Sequence, residues 1–308
     1  MSSFLKRLFS GKKKEENQET KIKSKIQTLK YDGIKAVKAG QIELAIQFFN
    51  KILEFNPEDS DALLYLIQIY TRTNQLDQAE KHNYKLIELA PELVEAKISL
   101  ANIYLMQREH QKAIKCSQEI IGIDSNIIEP HYIMGIAYYR LEDEFNAIAA
   151  LTLALQIDPS FINGLLLRAT ILSEMNQYEE SLTDINNLLE IDEGHEEALF
   201  LKATIYQNQE NHEEAIALYQ KSISLNPFHI NAYLNLCQVL LKIEQKEKAI
   251  ELLNEAIEVN PTIAKLFQAR GEIHLTNDNQ EEAIKDYTKA IELDPELEEV
   301  LSGYFELK

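Results

Sequence analysis

The sequence predicts an all-α solenoid built from antiparallel helix pairs in eight units of 34 residues. Three observations predict it: prolines held in one register, small residues recurring at two places in the period, and a composition poor in turn formers. Six of the seven prolines, Pro57, Pro91, Pro159, Pro227, Pro261 and Pro295, lie 34 or 68 residues apart. The two skipped places hold Ser125 and Glu193, so the period runs without insertion or deletion. A period of this length marks stacked supersecondary units. The 308 residues include no Trp, 9 Gly and 7 Pro, which suits long helices with short connections rather than a many-stranded sheet.

Each unit divides at two breaks. Before the proline places stand Asn56, Ala90, Asp124, Asp158, Asp192, Asn226, Asn260 and Asp294, each preceded by an apolar residue. Apolar, Asx, Pro is a helix stop and restart, because proline cannot continue a helix and restrains its predecessor. The second break holds Gly40, Asn74, Asn176 and Asp278, residues that tolerate unusual backbone angles. Between the breaks the pattern reads as two helices of about 12–14 residues. Small residues recur where helices must approach closely. In the first helix they are Gly33, Ala101, Gly135, Ala169, Ala203, Cys237 and Gly271, with Ile67 departing. In the second they are Ala45, Ala79, Ala113, Ala147, Ser181, Ala215, Ala249 and Ala283. Bulky partners share registers too: Tyr70, Tyr104, Tyr138 and Tyr206 at one, Phe49, Tyr219 and Tyr287 at another.

The sequence small-x-x-Tyr, Ala-x-x-x-Phe/Tyr, Pro on a 34-residue helix–turn–helix unit resembles the tetratricopeptide repeat over residues 26–297. The clearest unit runs from Phe267 and Gly271 through Ala283 and Tyr287 to Pro295. The weakest spans 162–195, with Leu172, Ser181 and Glu193 at signature places, and the family's Trp is replaced throughout. The resemblance implies a right-handed superhelix whose concave face is lined by the first helix of each unit. It further implies a non-enzymatic scaffold or adaptor, without cofactor, that binds a peptide or protein segment in that groove. The carboxylate clamp of the family's co-chaperones is absent: Lys30 has Ile34 where Asn is needed, and the partner places hold Glu95 and Ser99.

Ligand-contacting places carried over from similar proteins give one row of Leu64, Ile98, Tyr132, Leu166, Phe200 and Leu234. The row one turn on is Gln68, Asn102, Ile136, Thr170, Thr204 and Gln238, and Tyr139 lies at the helix end. Amides and hydroxyls can satisfy an extended backbone while the apolar groups take its side chains. Asp61, Glu95, Glu129 and Glu197 at the start of this helix would favour a ligand carrying Lys or Arg. The other reading of the apolar row is packing against the neighbouring second helix.

Formal net charge is −19, with +6 in residues 1–30 and therefore −25 in the remainder. An acidic body repels phosphate backbones, which excludes nucleic acid as partner, and otherwise serves solubility. Cys116 and Cys237 form no disulfide framework, and with no secretory signal they indicate a reducing, cytoplasmic setting. No His pairs with another His or Cys at helical spacing, so no metal is expected, and no Gly-rich phosphate loop occurs. His274, His195 and His229 have structural places in the repeat.

The ends differ from the repeats. Met1, Phe4, Leu5, Leu8 and Phe9 share one helical arc, Lys6 and Arg7 face away, and Lys12, Lys13 and Lys14 follow. Two readings stand: weak peripheral contact with anionic membrane at the cytoplasmic face, or a disordered solubilising tail. Residues 15–25 read as a tether. Leu297, Val300, Leu301, Tyr304 and Phe305 fall on one face of a C-terminal capping helix over 298–308. The alternative function is a structural subunit of a larger assembly, membrane-associated if the N-terminal arc binds lipid, using convex or terminal surfaces.

Overall fold

The computed structural model describes the backbone of residues 2–301 and the side chains of residues 20–301. It forms two compact units, residues 1–158 and 159–308, divided at one of the expected Asx-Pro breaks. Unit 1 contains α1 (Ser2–Lys38), α2 (Ile42–Phe55), α3 (Ser60–Arg72), α4 (Leu76–Leu89), α5 (Val94–Met106), α6 (His110–Ile123), α7 (Ile128–Arg140) and α8 (Glu144–Ile157). Unit 2 contains α9 (Ile162–Glu174), α10 (Tyr178–Ile191), α11 (Glu196–Asn208), α12 (His212–Leu225), α13 (Ile230–Lys242), α14 (Lys246–Val259), α15 (Ala264–Thr276) and α16 (Gln280–Leu293). A 3-10 turn over Pro295–Leu297 and the short α17 (Glu298–Leu301) follow. Among the described residues every element is helical, as an all-α solenoid requires. Odd-numbered helices are first helices and even-numbered ones second helices. Residues 15–25, read as a tether, lie inside α1.

The turn inside each 34-residue repeat is the same in all eight. Gly40, Asn74, Arg108, Glu142, Asn176, Glu210, Glu244 and Asp278 all have φ between 57° and 71°. The following N–H reaches back to the carbonyl five residues earlier, as in Gln41 to Ala36 (2.9 Å), Gln75 to Tyr70 (2.8 Å) and Gln245 to Leu240 (2.8 Å). This bond satisfies a carbonyl that the helix end would leave unpaired. The break between successive repeats is held by side chains. Asn56, Asp124, Asp192, Asn226 and Asp294 each accept the N–H two residues on, a local bond that competes with helix continuation. Asp59 caps α3 through the Ala62 N–H (3.1 Å), and His195 at the equivalent place caps α11 through the Ala198 N–H (3.3 Å).

The small registers fit bulky partners sixteen residues on. A Cβ on Gly33 would stand 2.9 Å from the Phe49 ring, on Gly135 2.7 Å from Leu151, and on Gly271 2.7 Å from the Tyr287 ring. Phe49, Leu151, Tyr219 and Tyr287 are fully buried there, each contributing roughly 1.5–3 kcal/mol of hydrophobic stabilisation. Where Ile67 replaces the small residue, the bulky place holds Asn83; it is fully buried with neither polar atom bonded within the described residues. Leaving such a group unpaired costs about 1–3 kcal/mol.

A second pairing of places joins the two helices of a unit. Arg168 grips Asp184 with two bonds (2.8 and 2.7 Å), and Arg270 grips Asp286 likewise (2.9 and 2.6 Å). The same two places hold Leu66 and His82, Leu100 and Cys116, and Leu236 and Leu252 in other repeats. At the C-terminal end Leu301 is buried in a cluster with Phe267, Tyr287 and Ala290. Val300, expected on that same face, is 64% exposed, because α17 starts afresh after the 3-10 turn and one helical residue is a rotation of about 100°. Tyr304 and Phe305 lie outside the described residues.

Candidate functional site

Position follows from the stacking. In unit 1 α5 packs beside α7, and in unit 2 the first helices α9, α11, α13 and α15 pack in succession, so equivalent residues form rows. In unit 1 Leu64, Gln68 and Asn102 are exposed, while Ile98, Tyr132, Ile136 and Tyr139 are half-buried. In unit 2 Leu166, Thr170, Phe200, Thr204 and Leu234 are half-buried and Gln238 is exposed. All thirteen lie outside the fully buried core. Ile98 flanks the core of Leu100, Ala101 and Ile133, and Phe200 and Leu234 flank that of Tyr219, Tyr233 and Leu236. Ile98, Phe200 and Leu234 therefore pack against their own cores while remaining partly exposed.

The polar row is less available than its composition suggests. Asn102 Nδ2 donates to the Ile98 carbonyl (3.1 Å), Thr170 to Leu166 (2.8 Å) and Thr204 to Phe200 (3.0 Å). These bonds to the carbonyl four residues back are the usual refuge of short polar side chains within helices. Gln68 and Gln238 have no partner among the described residues. The Tyr132 phenol is pushed up by burial and stays protonated at neutral pH.

Unit 2 also holds a network that residue spacing did not announce. The Tyr219 hydroxyl donates to Gln207 Oε1 (2.6 Å), accepts from Asn235 Nδ2 (3.2 Å) and lies 3.1 Å from Thr204 Oγ1. Glu196 accepts from Ser222 Oγ (2.9 Å) and Asn226 Nδ2 (3.4 Å) and pairs with His229 Nδ1. Phe200 packs against both centres, its ring 5.8 Å from Tyr219 and 4.4 Å from His229. The polar residues at 196, 222 and 229 are the available signal, but only stacking of successive repeats brings them together.

Of the four carboxylates at the start of the first helices, Asp61 is bound by Lys30 Nζ at 2.8 Å, and Glu95, Glu129 and Glu197 are exposed. Among the described residues no group of three or more His, Cys, Asp or Glu could hold a metal ion. Cys116 and Cys237 are buried free thiols, each pushed up to about 11 by burial. No helix among the described residues is long and apolar enough to cross a membrane. The side chains of Phe4, Leu5, Lys6, Arg7, Leu8 and Phe9 lie outside the described residues.

Models of the tetratricopeptide repeat match residues 36–82, 194–262 and 264–297. The chain is a tetratricopeptide repeat protein. No curated protein matches this repeat chain. Its fold is similar to that of a tetratricopeptide repeat protein from Parabacteroides merdae, with 18% identity and a TM-score of 0.59 over 80% of this chain and 98% of that one. A chain of the APC/C hetero-tetramer Cut9–Hcn1 is similar at 14% identity and TM-score 0.55, over 87% of this chain and 53% of that one. Yeast Tom70 is similar at 15% identity and TM-score 0.51, over 88% and 77% respectively. At these identities the likeness is one of fold, and the repeats here have to be read for function from their own residues.

Proposed function

We propose that this repeat protein is a non-enzymatic scaffold or adaptor that holds a segment of a partner protein along the first-helix face of a unit. The observation that carries the reading is the apolar row, half-buried rather than core, in both units: Ile98 and Tyr132 in one, Leu166, Phe200 and Leu234 in the other. Such groups are held in place by their inner side and can desolvate against a partner with their outer side. The partner's side chains supply most of the contact, since Asn102, Thr170 and Thr204 are already bonded to their own helices. Exposed Glu95, Glu129 and Glu197 favour a segment carrying Lys or Arg.

Affinity capture with the intact chain, read by mass spectrometry, tests this. Leu64→Ala with Tyr132→Ala should weaken retention of the principal partner by about tenfold or more, as loss of a central anchor does, with helicity unchanged. Undiminished capture by a folded variant would move the partner to another surface. That outcome would favour the second reading, a subunit of a larger assembly that uses its convex or terminal surfaces.

A further inference from the structure

In unit 1, between the second helices α4 and α6 and over the first helix α5, lies an open cavity of 380 Å³. Its walls are Tyr84, Leu100, Tyr104 and Cys116, and Lys112 and Lys115 stand at its mouth. The chain's own repeats show what is unusual here. At the equivalent places in unit 2, Arg270 reaches Asn254 (2.6 Å) and clasps Asp286, so a cation and its carboxylate occupy them. In unit 1 the two places of that clasp hold Leu100 and Cys116, which are too short to fill it. The place of Asn254 holds Tyr84, 47% exposed, with its hydroxyl bonded to that of Tyr104.

The walls are apolar in character. Cys116 is buried, donates to the Lys97 carbonyl (3.4 Å) and is pushed up to about 11, so it remains a thiol and acts as a small hydrophobe. The mouth is charged. Lys112 lies 5.5 Å from the Tyr104 ring centre and 3.6 Å from Glu109, and exposed Lys115 has no partner among the described residues. Glu119 offsets part of this charge. In a chain of net charge −19, Lys112 and Lys115 against Glu109 and Glu119 make the mouth locally neutral, and Lys115 is the cation left to meet an incoming carboxylate. The cavity also falls within the roughly 300–1,000 Å³ of side-chain and ligand pockets.

We propose that this cavity is a second docking pocket, independent of the first-helix face, that takes an aromatic side chain flanked by Asp or Glu from an acidic segment of a partner protein. The ring enters between Tyr84 and Cys116, and a flanking carboxylate meets Lys115, the role Asp286 performs for Arg270 within unit 2. The pocket thus selects the charge opposite to that favoured by Glu95 and Glu129 on the first helices.

Fluorescence anisotropy with the intact chain tests the pocket, using a labelled pentapeptide with Phe between pairs of Glu and a control with Phe between pairs of Lys. The Glu peptide should bind to this pocket, and its affinity should fall as salt rises. Lys112→Glu with Lys115→Glu should weaken it by about tenfold or more, the usual scale for reversing contact charges. Leu100→Arg with Cys116→Asp installs the clasp of Arg270 and Asp286 and should abolish binding. Tyr84→Asn, a change at a half-exposed side chain to the residue at 186 and 254, tests the same wall and should also weaken binding, with circular dichroism checking that loss of the bond to Tyr104 leaves helicity intact. Leu64→Ala with Tyr132→Ala should leave it unchanged, which separates this pocket from the first-helix reading. Equal affinity of the Glu peptide for the wild type, the Tyr84→Asn variant and the charge-reversed variant would overturn the proposal, as would the absence of binding.

Discussion

A left-handed turn residue is ordinarily Gly or Asn, yet Arg108, Glu142, Glu210 and Glu244 occupy that conformation here with φ of 57–62°. The crowded Cβ costs about 1–2 kcal/mol in this region. The cost is offset by the bond it allows, from Gln245 N–H to the Leu240 carbonyl in the turn at Glu244, and by a stack that admits only one turn geometry. Glu244 is exposed and makes no side-chain bond among the described residues, so its carboxylate contributes nothing in return. Glu244→Gly should therefore stabilise the protein by about 0.5–1 kcal/mol, net of the entropy glycine loses. Gly40→Ala, at φ 71°, should do the reverse. Guanidinium unfolding midpoints measure both, and a lower midpoint for the first would refute the strain argument. Only four of these eight turns were legible as turns, because Arg and Glu are good helix formers and local propensity hides the break. The same limit applies at the site: that Thr170, Thr204 and Asn102 bond to their own helices depends on side-chain rotamers, which spacing does not encode.

At the scale of the element, the unit of construction is a helix pair whose two halves exchange volume and charge at fixed places. Gly33 with Phe49 and Gly271 with Tyr287 exchange volume, and their registers were legible because small and aromatic residues recur 34 apart. The exchange of charge was not legible, since Arg168 and Asp184 recur together only at Arg270 and Asp286. Asp184 is buried, and its removal would leave a half-buried guanidinium without its two charge-assisted bonds. Asp184→Ala should cost about 2–3 kcal/mol, somewhat below the full penalty for breaking a buried pair because Arg168 retains access to water. Replacing both residues by Leu reproduces the pair Leu236 and Leu252 and should recover most of that loss. Thermal denaturation of the three proteins distinguishes the cases; a double variant no more stable than Asp184→Ala would show that the places are not interchangeable.

At the scale of the molecule, the period runs unbroken through Asp158 and Pro159, and nothing in it marks the division into two units that the structure shows there. Each unit contains four helix pairs, above the three or so repeats that a stacked core needs for independent stability. Each also has its own core: Phe49, Leu63, Leu66 and Leu86 with Ile103 in one, Tyr219, Tyr233, Leu236 and Leu253 with Leu266 in the other. Leu301 seals the far end of the second against Phe267 and Tyr287. Because helix pairs contact their sequence neighbours, the free energy of either unit is approximately a sum over its own repeats and their interfaces. Residues 1–158 and 159–308, produced separately, should each retain strong helical circular dichroism and melt in a cooperative transition. Leu301→Ser should lower the midpoint of the second fragment and leave the first, which lacks that residue, as the internal standard. A fragment with little helix, or a second fragment indifferent to Leu301→Ser, would show that its stability lies outside the contacts of its own repeats.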